Sequence, residues 1–137
     1  MSASTARIPQ ASGMRLILPV ETAAASAARH AVRQFARMHG AAEATTADIA
    51  LAVSEAVSNV IAHARDEASQ AGAVILAAER DGDALRVLVR DHGVTRHGAG
   101  LGSGLGLATI GQVAQSLEVR IDETGGAEMR MKFQLAA

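Results

Sequence analysis

Three side chains able to do chemistry, Glu55, Asn59 and His63, recur every fourth residue in the run Asp48 to His63, DIALAVSEAVSNVIAH. The run contains no glycine or proline, so it reads as one helix. At about 100° per residue the three fall on one narrow stripe. Ile49, Val53, Val57 and Val60 fill the neighbouring sector, and Leu51 lies on the far side. An acid and an amide beside such apolar neighbours are costly to bury unless each finds a partner. Glu55 is placed to take a proton from a hydroxyl or a water. Asn59 offers a neutral oxygen to Mg²⁺, a cation that completes its shell with water and substrate phosphates. An amide there adds no like-charge strain against Glu55. The same pair could also bond to each other or to a loop. His63, a turn further on, reads as a supporting helix-end residue.

A second group of residues bears on that choice. Asp91-His92-Gly93 follows the apolar run Leu85 to Arg90, so Asp91 stands at a strand end. A carboxylate there can accept from an exocyclic amine such as the adenine N6 group, and Gly93 lets a ring lie close to the backbone. Gly100 to Leu107, GLGSGLGL, then opens another helical stretch. Gly100, Gly102, Ser103, Gly104, Leu105 and Gly106 lead into a helix N-terminus, where free amides and the helix dipole favour a phosphate. No Gly-Lys-Ser/Thr follows, so this is not a P-loop, and the strict G-x-G-x-x-G register is absent. Taken alone, the stretch also fits an ordinary surface loop. His92 and His97 carry no specific expectation.

The elements that must position these residues can be read in order. Residues 1–13 are small and polar, and a disordered tail is expected there. Met14 to Val20 reads as a strand that Pro19 marks as an edge or an end. Thr22 to His39 is alanine-rich and unbroken, with Gly40 to stop it. Its Arg29, Arg33 and Arg37 form a basic stripe, either a solvated face or a partner-docking surface. Thr45-Thr46 are expected to cap the central helix at Asp48. Ala73 to Glu79 and Leu85 to Arg90 read as a hairpin about Arg80-Asp81-Gly82-Asp83. Leu105 to Ser116 is expected to be helical, and Leu117 to Ile121 and Ala127 to Leu135 a closing hairpin. This order, β-α-α-β-β-loop-α-β-β, predicts an α/β (α+β) two-layer sandwich, a mostly antiparallel mixed sheet with helices on one face.

Composition bounds the partners. With 137 residues, 49% of them apolar, the chain suits one core, residues 14–137. Phe35 and Phe133 are its only aromatics, so aliphatic side chains must fill the interior. A formal net charge of -1 and a single lysine, Lys132, argue against nucleic acid as a ligand. The absence of cysteine rules out disulfides and thiolate metal sites. No apolar run reaches membrane-spanning length and no signal-peptide pattern opens the chain, so a cytoplasmic location without membrane association is expected.

LAVSEAVSNVIAHA, DHG and GLGSGLGLATI, in this order and spacing, resemble the Bergerat-fold (GHKL) ATPases, and the wording of the first looks most like their anti-sigma-factor serine/threonine kinase branch. The resemblance covers about Met14 to Leu135. It implies ATP and Mg²⁺ as ligands, with the metal on Asn59, Glu55 as catalytic base and adenine read by Asp91. The glycines Gly102, Gly104 and Gly106 would surround the phosphates. It also implies a serine or threonine on a STAS-fold anti-sigma-factor antagonist as substrate, a sigma factor as a second partner, and a homodimer. Two departures stand out. Thr95 takes the second glycine position of Asp-x-Gly-x-Gly, and only Arg96 to Ala99 separate this motif from Gly100. The alternatives are a non-catalytic nucleotide- or partner-binding module, a switch kinase that binds no sigma factor, and the ATP-binding half of a split histidine kinase. Glu55 and the lack of a phospho-acceptor helix oppose the last.

Overall fold

The computed structural model describes residues 13–66, 72–92, 105–121 and 127–135. Strand β1 (Gly13–Pro19) is followed by helices α1 (Ala23–Met38) and α2 (Glu43–Asp66). Then come β2 (Ala73–Asp81), β3 (Ala84–His92), α3 (Leu105–Val113), β4 (Ser116–Ile121) and β5 (Ala127–Gln134). The order is the expected one. The expected tail extended to residue 13, but Gly13 is part of β1 and pairs with Glu79. Residues 1–12 lie outside the described residues.

Helix α1 stops where a Schellman motif stops it. Gly40 adopts φ +82°, its N–H donates to the Arg37 carbonyl at 3.0 Å, and the Ala41 N–H donates to the Ala36 carbonyl at 3.0 Å. Helix α2 then begins at Glu43, not at Asp48. Thr45 and Thr46 are therefore helical residues and not caps, and the Thr46 N–H already donates to the Ala42 carbonyl at 2.8 Å. After Gly40 no residue in AAEATTA breaks a helix, so the helix extends back to the motif, with Glu43 in its first turn facing the positive end of the dipole. Helix α3 is shorter than expected and ends at Val113, because the Gln115 N–H leaves the helix for the Lys132 carbonyl at 2.8 Å.

The sheet order is β1-β2-β3-β5-β4, and every pairing among the described strands is antiparallel. The expected mixed character is absent for a topological reason. Two helices in succession return the chain so that β2 opposes β1, and although α3 carries the chain back parallel to β3, β5 lies between β3 and β4. The β2–β3 link is a two-residue turn, Gly82-Asp83, with Gly82 at φ +62°.

Alternation decides which residues meet the helices. Val74, Leu76 and Ala78 of β2, Leu85, Val87 and Val89 of β3, and Met129, Met131 and Phe133 of β5 share one buried cluster with Ile49, Val53, Val57 and Val60 of α2 and Ile110 of α3. Burying each large aliphatic side chain contributes about 1.5–3 kcal/mol. Leu51 is 43% exposed, as its place on the far side of α2 requires. Among the described residues, no helix is long and apolar enough to cross a membrane.

Candidate functional site

Helix α2 delivers the acid and amide to one end of the sheet. Arg80, beside the β2–β3 turn, donates from Nη1 to the carbonyl of His39 at 3.3 Å, which fixes that turn at the C-terminal end of α1. Helix α2 starts from there and runs toward the opposite end, where β3 finishes with Asp91 and His92. It packs across β3 and β5 and alongside α3. Glu55 and Asn59 lie in its second half, and both are half-buried.

Asn59 has an unusual environment. Its Nδ2 is buried without a hydrogen-bond partner. The two other such atoms among the described residues, His39 Nε2 and Thr46 Oγ1, sit at the far end of the helical layer. His39 there packs its ring on Phe35 with centroids 4.5 Å apart. An amide donor buried and unpaired costs about 1–3 kcal/mol. On the stripe that also carries Glu55, such an amide fits a site completed by something other than protein. Among the described residues no group of three or more His, Asp or Glu could hold a metal. A single amide oxygen therefore suits Mg²⁺ only as one ligand beside substrate phosphates and water.

Asp91 was expected at a strand end, and it is the penultimate residue of β3, paired with Val74. Val74, Val87 and Val89 face the helices, so the register puts Asp91 on the helix side as well. It is 8% exposed, and its Oδ2 accepts a hydrogen bond from the Ala127 N–H at 3.2 Å. This backbone partner was not foreseen, and no side-chain pattern could have shown it. It is tertiary in origin, 36 residues away in sequence.

Leu105 and Gly106 form the first turn of α3, so a helix does begin directly after the glycine-rich stretch. Gly93, Gly100, Gly102, Ser103 and Gly104 lie outside the described residues, as do Thr95 and the Arg96–Ala99 segment. The His63 side chain is likewise not among those described. The arginine stripe of α1 is not uniformly solvated. Arg29 donates to Ser54 Oγ of α2 and to Ser26 Oγ, each at 3.4 Å, and Arg37 pairs with Glu43 at 3.5 Å.

The described residues form an antiparallel sheet under one helical layer, with an acid and an amide on the central helix and a buried aspartate near the end of β3. Residues 18–133 match the histidine kinase-like ATPase domain, and the chain belongs to that family. ATP is the ligand class that this family implies. The fold also matches part of the crystal structure of the RsbU and RsbW domains of Rv1364c from Mycobacterium tuberculosis, with a TM-score of 0.73 at 24% identity over 91% of this chain. The match spans 33% of the solved chain of that structure. Among curated proteins no relative matches the sequence.

Proposed function

We propose that this chain is an ATP-dependent serine/threonine protein kinase that also acts as an anti-sigma regulatory factor, with a STAS-type antagonist as its protein substrate. The observation that carries the reading is the orphaned, buried Nδ2 of Asn59 one helical turn from Glu55, a donor that suits a phosphate oxygen and leaves the amide oxygen for a metal. A regulatory kinase that needs a metal–phosphate ligand and a base in register has a use for both. The similar fold in a protein that joins domains named RsbU and RsbW supports the regulatory part.

In this reading Asp91 accepts from the adenine amine, and the amides opening α3 face the phosphates. Mg²⁺, when bound, neutralises charge on the β- and γ-phosphates. Asn59 would hold that ion through its amide oxygen. Glu55 orients the acceptor hydroxyl and takes its proton as the hydroxyl oxygen bonds to the γ-phosphorus and the bond to ADP breaks. The proton then passes to solvent. Thr95, in place of a second glycine, favours the rival reading of a nucleotide-binding module without transfer.

Calorimetric titration with ATP and ADP, with and without Mg²⁺, tests the site, and phosphate transfer to a purified STAS protein tests the activity. Mg²⁺-dependent ATP binding is expected. Glu55→Gln should keep that binding and abolish transfer. Full transfer by Glu55→Gln would remove the base assignment, and failure of the wild type to bind ATP at millimolar concentration would remove the kinase reading.

A further inference from the structure

The face of the sheet turned away from the helices carries its own chemistry. Among the described residues no element covers it. Register sets Arg15, Ala77, Leu88, Arg130 and Glu118 abreast across all five strands, with Glu79, Arg86, Lys132 and Ser116 in the next row. These two rows line a depression of about 610 Å³ whose apolar floor is Ala77 and Leu88. It is a separate surface from Glu55 and Asn59, which lie on α2 across the sheet.

Charge separates this face from the rest of the molecule. The whole chain has 13 Lys and Arg against 14 Asp and Glu. Alternation along the strands assigns six of those bases to this face, Arg15, Arg86, Arg90, Arg120, Arg130 and Lys132, against four acids. Three of the acids are already paired, Asp81 with Arg86 at 2.8 Å, Glu118 with Arg120 at 2.9 Å and Glu128 with Arg130 at 2.6 Å. Glu79 remains as the counterweight to Arg15, Arg90 and Lys132, none of which forms an ion pair with a described residue.

We propose that this sheet face docks an acidic polypeptide segment of a partner protein, seated by an apolar side chain on Ala77 and Leu88 and steered by Arg15 and Lys132. A second copy of the chain, placed face to face, would set net positive against net positive, which opposes association. A nucleic acid would meet the basic side chains but has no aliphatic side chain to seat on Ala77 and Leu88. An acidic segment with an apolar anchor meets both the charge and the floor. This inference does not depend on nucleotide binding.

The test uses the full chain and three dye-labelled probes followed by fluorescence anisotropy: an amphipathic helical peptide of leucine and glutamate, its leucine–lysine counterpart, and an oligothymidylate. The acidic peptide should bind at least tenfold more tightly than the basic one and weaken as salt screens the charges. Its amide chemical-shift changes should centre on Arg15, Ala77, Leu88 and Lys132. Reversing Arg15→Glu and Lys132→Glu together should weaken it at least tenfold, with circular dichroism reporting an unchanged fold. If that double reversal does not fold, Arg15→Gln with Lys132→Gln should weaken binding in the same direction. Equal binding of the two peptides, no binding of the acidic one, tighter binding of the oligonucleotide, or a dimer in ultracentrifugation that the double reversal dissociates would each overturn the proposal.

Discussion

The Asp91 carboxylate accepts the Ala127 N–H at 3.2 Å just where the β3–β5 ladder ends at Arg90 and Glu128. A side chain thus replaces the next backbone rung and holds the aspartate in place on the helix-facing side. The bond orients one oxygen of the carboxylate toward β5, and the same residue is the one assigned to adenine.

Asp91→Asn and Asp91→Ala should therefore behave differently. Asparagine can still present an oxygen to Ala127 but replaces the second acceptor with a donor, so ATP affinity should fall at least tenfold, about 1.4 kcal/mol. Alanine leaves the N–H of Ala127, a residue only 1% exposed, without its acceptor. An additional loss of about 1–3 kcal/mol in denaturant unfolding should follow. Unchanged ATP affinity in Asp91→Asn would rule out the adenine assignment.

Asn59→Ala should separate binding from stability. Mg²⁺-ATP affinity should drop at least tenfold by calorimetry. Removing an amide whose Nδ2 is buried and unpaired, and placing alanine in a helix, should leave thermal stability equal or higher. A clear fall in melting temperature would mean that Asn59 serves the fold.

Two leucines should differ sharply. Leu76 is fully buried at the centre of β2, and Leu76→Ala should cost about 2–5 kcal/mol in urea unfolding. Leu51 is 43% exposed on α2, and Leu51→Ala should stay within about 0.5 kcal/mol of wild type.

Two glycines should respond with opposite signs. Gly40 at φ +82° ends α1, so Gly40→Ala should destabilise the chain by about 1 kcal/mol. Gly111 is inside α3, and a Cβ added there meets nothing within 4 Å. Gly111→Ala should stabilise by up to about 1 kcal/mol, read as a higher melting temperature.

Element order, the helix stripe of Glu55 and Asn59, the apolar sector of Ile49, Val53, Val57 and Val60, and the Gly40 stop were all legible in the sequence, because each rests on spacing or on one residue's backbone preference. The start of α2 was misread for a related reason. Thr45 and Thr46 are good caps in isolation, yet after the motif at Gly40 nothing stood in the way of an earlier start, and the helix took the longer course. Other features had no local sign. The fully antiparallel order follows from β5 inserting between β3 and β4. The end of α3 follows from the Gln115 N–H going to Lys132, and the seat of Asp91 from the Ala127 N–H. The basic sheet face exists only because register brings residues of five strands into rows. Sequence by itself determined which side chains could do chemistry and on which face of a helix or strand each stands, since those depend on periods of 3.6 and 2. Only the tertiary structure decided which backbone groups meet them, since hydrogen bonds between distant strands are set by topology and not by neighbours in the chain.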